Sequence, residues 1–341
     1  MKILVYSGVA VAVIAIAVAS VLSSGQPESD KNQVRVVFFA NVNHAVPIVG
    51  LENGEFAKEL GSTAIKTRVV DSGPEVIEAL FTKSADLGYL GPAPFVIGYV
   101  KSKTDDIKIL SGAASGGASF VIQKDSTIST AADLDGKKIA APFVGNTQDV
   151  SLRHYLAEHN LKPRESGGTV TVYNIANPEI YTIFAKGDID AAWVPEPTAT
   201  MLVEQLGGKR LFQEEDTWPD GKFSSVLLVG RTEFLEKHPD VVAKWVAANT
   251  NTVNWIKENP DKTESIFIDF YKKYTGKKLD ENIIHDAFSH IQITSEPIQN
   301  SISIFAERAY GLGYLGHSGY NLDHIYYDVN NGTVGGTSWQ N

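Results

Sequence analysis

The residues in this chain best suited to chemistry are small and uncharged. From Ala140 to Arg153 it reads Ala140-Ala141-Pro142-Phe143-Val144-Gly145-Asn146-Thr147-Gln148-Asp149-Val150-Ser151-Leu152-Arg153. An apolar run, a permissive Gly145, cap-forming residues and then helix-spaced Val150, Leu152 and Tyr155 predict a buried strand that turns into a helix near Asn146. The first amides of such a helix have no intrahelical acceptor and carry the positive end of its dipole. The chemistry on offer is recognition of an anion or a polarised oxygen by neutral donors. Asn146 and Thr147 are equally suited to capping the helix and nothing more.

The same pattern occurs twice, at an offset of 104 residues from Val36 to Ala140. Val36-Val37-Phe38-Phe39-Ala40-Asn41-Val42-Asn43-His44 has the strand-then-polar-turn form of Ala140 to Gln148. In the same register Pro74-Glu75-Val76-Ile77 matches Pro178-Glu179-Ile180-Tyr181. Asp86-Leu87-Gly88-Tyr89-Leu90-Gly91-Pro92 matches Asp190-Ala191-Ala192-Trp193-Val194-Pro195-Glu196. These three matched stretches in one register predict two α/β lobes of similar topology, each with polar turns at the carboxyl ends of its strands, where open α/β sheets bind ligands.

Catalytic signatures are missing. The sequence has no G-x-S-x-G, no H-E-x-x-H and no Walker loop. Gly311-Leu312-Gly313-Tyr314-Leu315-Gly316 fits the dinucleotide spacing but follows a helix, so it reads as a helix stop. Asp105-Asp106 and Glu214-Glu215-Asp216 read as solvated loop clusters. With no cysteine there is no thiolate metal site, Cys nucleophile or disulfide, and a net charge of -10 disfavours nucleic acid. No metal or cofactor is expected, and an enzyme would need acid/base residues that these motifs do not announce.

At 341 residues and 43% hydrophobic the chain can bury two domains. Residues 3–22 carry no charge, roughly 30 Å of apolar helix, which reads as a membrane anchor or as a cleaved signal with an Ala17-Val18-Ala19 site. Either places the bulk of the chain outside the cytoplasm. A polar tether follows to residue 33. Lobe 1 is expected from 34–119 together with 228–328 and lobe 2 from 120–227, before a disordered tail at 329–341 with a sequon at Asn331. Within lobe 1, strands are expected at Arg35–Ala40, Ile65–Val70 and Leu87–Leu90, with helices at 48–60, 74–81 and from Pro92 to Val100. Ser111 to Ala118 is too small to be ordinary core and lets backbone approach a ligand or a strand. Four C-terminal helices, from residue 241 to 312, are expected to clasp lobe 1.

Asp86-Leu87-Gly88-Tyr89-Leu90-Gly91-Pro92-Ala93-Pro94, Ala114-Ser115-Gly116-Gly117-Ala118-Ser119-Phe120-Val121, Asp133-Leu134-Asp135-Gly136-Lys137-Lys138-Ile139-Ala140, Gly145-Asn146-Thr147-Gln148-Asp149-Val150, Ala192-Trp193-Val194-Pro195-Glu196-Pro197 and Trp218-Pro219-Asp220-Gly221-Lys222-Phe223 together carry a family resemblance. From about Val34 to Leu315 the chain resembles the periplasmic-type binding proteins of ABC importers, in the nitrate/sulfonate/taurine group and its aliphatic-sulfonate branch. The resemblance implies a two-lobed type II periplasmic-binding-protein fold, α/β with a C-terminal helical wrap, that closes on one small solute. It also implies a permease with a cytoplasmic ATPase as partner. By the same resemblance the ligand site gathers Asn41, Asn43, His44, Ser72, Gly91, Pro92, Ser115, Gly116, Gly145, Asn146, Thr147, Trp193 and Glu196. This sequence departs from many relatives at Thr198, where they carry a second Trp. Its candidate turns hold no Lys or Arg, so anion binding falls to amides, hydroxyls and His44, while Asp149 and Glu196 suit a zwitterion such as taurine. Alkanesulfonate or taurine is the first expectation for the ligand, then a thiamine pyrimidine precursor, then nitrate or bicarbonate.

Overall fold

The computed structural model describes residues 33–329 and 331–335. The expected anchor or signal at 1–22, nearly all of the tether and most of the tail lie outside these residues. No helix among the described residues is long and apolar enough to cross a membrane.

Two sheets form. In the first, β1 (Gln33–Phe38) lies between β2 (Ala64–Val69) and β3 (Leu87–Leu90), all parallel. The antiparallel β10 (Ser224–Arg231) follows β3, and β4 (Ile107–Gly116) follows β10. Short strands β11 (Ile291–Ile293), β12 (Tyr326–Asp328) and β13 (Thr333–Gly335) complete that edge. In the second, β6 (Lys138–Ala141) lies between parallel β7 (Thr171–Asn174) and β8 (Ala191–Pro195), then come antiparallel β5 (Ala118–Ile122) and β9 (Lys209–Gln213). The orders β2-β1-β3-β10-β4 and β7-β6-β8-β5-β9 are the same arrangement. Each sheet receives its antiparallel fourth strand as the chain crosses from the other.

The repeat is visible bond by bond. Arg35 N–H donates to Asp86 Oδ2 at 2.9 Å and Asp86 N–H returns to Arg35 O at 2.8 Å. Lys138 N–H donates to Asp190 Oδ2 at 2.8 Å and Asp190 N–H returns to Lys138 O at 2.8 Å. The two aspartates align the starts of equivalent strands. Asp86 is fully buried and also takes Arg35 at 2.7 Å and Arg231 at 2.8 Å.

Period-two alternation sorts the core. Val36 and Phe38 join one apolar layer with Trp245, while Val37 joins the opposite layer with Phe95 and Phe305. The helices after strands β1 to β3 are α1 (Ala45–Glu52), α2 (Glu55–Leu60), α3 (Gly73–Phe81) and α4 (Pro92–Ser102). Their second-lobe equivalents are α5 (Thr147–Glu158), α6 (Asn177–Ala185) and α7 (Thr198–Glu204). The C-terminal half adds α8 (Thr232–Lys237), α9 (Pro239–Glu258), α10 (Pro260–Thr275), α11 (Glu281–Ser289) and α12 (Gln299–Gly311).

Three expectations change and one open alternative closes. The helix expected over 48–60 is two helices, broken where Gly54 takes φ 84°, a left-handed conformation that glycine adopts freely. Ser111 to Ala118 approaches another strand and not a ligand: β4 runs to Gly116 and pairs with β11, and Gly117 alone separates it from β5. A Cβ at Gly112 would lie 2.1 Å from Glu296 O, so the small residues admit another backbone segment. The C-terminal helices do not clasp lobe 1 alone: α9 and α10 pack on α1, while α11 touches α7 and α12 touches α5. Within the expected tail, β13 pairs with β12, and the sequon Asn331 donates its side-chain amide to Asp328 at 2.6 Å.

The matched aspartates generate a graded prediction. Asp86→Ala strands two arginines in a buried site and is expected to lower stability by about 3–5 kcal/mol. Asp190→Ala loses a hydrogen bond in a half-buried position and is expected to lower it by about 1 kcal/mol. Urea unfolding of both variants checks the ranking.

Candidate functional site

The turns after β1, β2, β3, β6 and β7 and the end of β8 all reach one cavity of about 40 Å³. Asn41, Asn43 and His44 follow β1, Asp71 follows β2, and Gly91 and Pro94 follow β3. From the second lobe come Pro142, Asn146, Thr147 and Gln148 after β6, and Asn177 after β7. Ser225 of the crossing strand β10 closes the back. Hydrogen bonds join the lobes across this space. Gly73 N–H, at the start of α3, donates to Asn146 Oδ1 at 2.9 Å, and Val42 N–H donates to Glu196 O at 3.4 Å. Gly91 must be glycine here, since a Cβ would sit 2.0 Å from Thr147 Oγ1.

Because Asn146 spends its carbonyl on Gly73, no side chain caps α5, and the first-turn amides of that helix have no side-chain acceptor. His44 is buried, stacks on Phe39 at 4.3 Å and accepts Phe39 N–H on Nδ1 at 3.3 Å. Burial pushes its pKa down to about 3, so it supplies no positive charge, and the accepting Nδ1 assigns the proton to Nε2. Asn43 Nδ2 donates to Gly116 O at 3.0 Å, which fixes the direction of its amide. Oδ1 of Asn41, Asn43 and Asn177 is buried without a protein donor. At the mouth, burial and then the nearby Glu75 raise the Asp71 carboxyl above its ordinary value. The cavity thus offers neutral donors on one wall and unpaired acceptors on another. No Lys or Arg lines it.

Of the residues expected here, Asn41, Asn43, His44, Gly91, Asn146 and Thr147 meet in the cavity. The others do not line it. Ser72 caps α3, accepting Glu75 N–H at 3.4 Å. Pro92 opens α4, and Ser115 and Gly116 end β4. Gly145 takes φ 80° and donates its N–H to Asp149 Oδ2 at 2.9 Å, shaping the turn from behind. Trp193 is core: it is 0% exposed, donates Nε1–H to Glu214 Oε2 at 2.8 Å, and meets Phe120, Tyr155 and Phe212 edge-on. Glu196 is buried against Arg210 at 2.8 Å and accepts Thr200 N–H at 3.0 Å, so its charge is answered within lobe 2. Asp149 likewise pairs with Arg153 at 2.7 Å and takes Tyr314 OH at 2.5 Å. Neither carboxylate faces the cavity. Glu214 is not solvated either: it is fully buried, bonded to Ser151 at 2.5 Å, and burial pushes its carboxyl up.

Sequence reasoning missed Phe39, Asp71, Pro94, Pro142, Gln148, Asn177 and Ser225. The repeat could have found two of them. Gln148 is the counterpart of His44, and Asn177 is that of Gly73, beside the turn already singled out at Ser72.

Two lobes that share one topology, exchange crossing strands and point strand-end turns at one polar cavity have the architecture of the periplasmic-binding-protein fold. The chain belongs to the NMT1-like family, whose model matches residues 27–268. The taurine-binding periplasmic protein of Escherichia coli (strain K12) is 32% identical over 213 residues, 62% of this chain and 63% of that protein. The match therefore spans a little under two thirds of that relative's length. A putative aliphatic sulfonates-binding protein of Bacillus subtilis (strain 168) is 25% identical over 255 residues, 74% of this chain and 73% of that one. The alkanesulfonate-binding protein SsuA from Xanthomonas axonopodis pv. citri, solved bound to MOPS, shares the fold with a TM-score of 0.70. It is 17% identical and the match covers 85% of this chain and 96% of that one.

The buried His44 makes a pH prediction. Its pKa of about 3 in the folded state rises to about 6.5 on unfolding, so the unfolded chain binds an extra proton between those values. Stability is therefore lost as pH falls through that window. His44→Gln, which copies the repeat counterpart, is expected to flatten the loss by up to about 1.4 kcal/mol per pH unit near pH 5. Urea midpoints against pH for both proteins check it, and parallel curves would contradict it.

Proposed function

We propose that the chain is an extracytoplasmic solute-binding protein of an ABC importer that captures a small sulfonate-bearing zwitterion, taurine or a related amino-sulfonate, in the interlobe cavity. The observation that carries this reading is the division of the cavity into neutral donors at α5 and unpaired acceptors at Asn41, Asn43 and Asn177. A sulfonate suits the first set, because oriented helix-end amides attract an anion without a formal cation. An ammonium suits the second, together with Asp71. Nitrate would leave those acceptors without donors, bicarbonate has a single O–H for three of them, and a pyrimidine would leave the α5 amides without an anion. Asn41, Asn43, His44, Asn146 and Thr147 are the proposed contacts, with Gln148 and Asn177 added.

The reading is of a receptor and not an enzyme: His44 is neutral with Nδ1 already engaged. Lobe 1 comprises 34–119 and 228–328 and lobe 2 comprises 120–227, closing on ligand and presenting it to a permease driven by a cytoplasmic ATPase. Residues 1–22 serve as an anchor or an export signal, with Lys2 on the cytoplasmic side.

Calorimetry on the refolded chain, freed of carried-over ligand, tests the proposal with taurine, ethanesulfonate, nitrate and an aminopyrimidine. Taurine is expected to saturate one site and ethanesulfonate to bind about tenfold more weakly, a difference of about 1.4 kcal/mol. Asn146→Ala is expected to weaken taurine by about tenfold or more. Binding of nitrate or the pyrimidine alone would overturn the ligand.

A further inference from the structure

The run Gly311-Leu312-Gly313-Tyr314-Leu315-Gly316 stops α12, and the way it does so aims one side chain at the other lobe. Gly313 takes φ 80°, the left-handed conformation that suits a residue just past a helix. Tyr314 N–H then returns to Ala309 O at 2.8 Å and Gly313 N–H to Tyr310 O at 2.9 Å, the nested pair of bonds that closes a helix end. The next residue, Leu315, is buried in the lobe 1 layer with Ile302 and Phe305. With its backbone and its neighbour both fixed, Tyr314 leaves lobe 1 in one direction. Its hydroxyl donates to Asp149 Oδ2, in the first turn of α5, at 2.5 Å.

Asp149 is fully buried, and among the described residues four donors serve its carboxylate. Oδ1 accepts Arg153 Nε at 2.7 Å and Asn174 Nδ2 at 2.8 Å, while Oδ2 accepts Gly145 N–H at 2.9 Å and the tyrosine. Three of these donors belong to lobe 2 and stay with the carboxylate when the lobes part. The fourth belongs to lobe 1, and it shares the oxygen that holds the turn leading into Asn146 and Thr147. A buried carboxylate short of a donor is costly, and its negative field opposes an anion bound at the turn in front of it. We infer that Tyr314 is a positioning residue for anion binding: lobe closure brings its hydroxyl to Asp149, which fixes the α5 turn and offsets the charge behind it, so the closed protein holds an anion more tightly than the open one. This rests on the reading of that turn as the anion site. Burial and then the neighbouring Asp149 raise the Tyr314 pKa above its ordinary value, so the hydroxyl keeps its proton and stays a donor.

The experiment measures Kd by calorimetry and rates by stopped-flow tryptophan fluorescence for taurine, ethanesulfonate and nitrate. It uses the full chain freed of carried-over ligand, Tyr314→Phe, and Tyr310→Phe as a neighbouring control. Tyr314→Phe is expected to weaken taurine about tenfold, through faster dissociation, with the association rate within about twofold. Tyr310→Phe is expected to change neither rate by more than about twofold. In an Asp149→Asn background the Tyr314→Phe effect is expected to fall below about threefold, because the charge that the hydroxyl offsets is gone; should that background not fold, the rates of Tyr314→Phe decide alone. An unchanged Kd in Tyr314→Phe, a loss carried by association, or an equal loss in Tyr310→Phe overturns the role of Tyr314 and leaves the sulfonate reading standing. Binding of nitrate without taurine overturns the sulfonate ligand, and the nitrate dissociation rate then tests Tyr314 in the same way. If no anion binds, both readings fall.

Discussion

The hydrogen bond from Gly73 N–H to Asn146 Oδ1, 2.9 Å long, is the interaction around which the cleft is arranged. It joins the first turn of a lobe 1 helix to the cap of a lobe 2 helix, so it exists only while the lobes are together. It also has a local consequence. The side chain that would have capped α5 is occupied across the cleft, and the amides it would have satisfied are left without a side-chain acceptor. On the proposed reading, closure and anion recognition draw on the same asparagine. The fit leaves little slack at Gly91, where Thr147 lies against the backbone.

Charge is managed by keeping it behind the turns. Asp149 is buried, braces Gly145 from within the α5 turn, and is held by Arg153, Asn174 and Tyr314. Glu196 is held by Arg210, which is also 3.4 Å from Asp286 of α11. In each case a carboxylate that would repel an anion is answered by a cation outside the cavity, and the turn in front of it is stiffened. Tyr314 and Asp286 lie beyond the residues matched by the family model, so the C-terminal region contributes to bracing the second lobe as well as covering the first.

Much of this was legible in the sequence because it is local or repeated. Strand, turn and helix at 36–52 and 140–158 follow from apolar runs, glycine and cap residues, and the offset of 104 residues carries through to the paired bonds of Asp86 and Asp190. What was not legible depends on partners far along the chain. Trp193 has the type of a ligand platform, but Glu214 claims its indole N–H, and nothing near Trp193 in sequence announces that. Glu214 sits in an acidic run that looks solvated until β9 and α5 enclose it. Ser72 lies in a turn between β2 and α3 beside the cavity, yet its hydroxyl is taken by the cap of α3.

The central claim is that neutral helix-end amides hold the acidic head of the ligand while side-chain amide oxygens hold its nitrogen. A crystal structure of the taurine complex tests it most directly. The account predicts sulfonate oxygens within hydrogen-bond distance of the Thr147 and Gln148 backbone amides and the ammonium beside Asn41 and Asn177. A sulfonate seated instead on Lys277 and Lys278, with the first turn of α5 untouched, would contradict it.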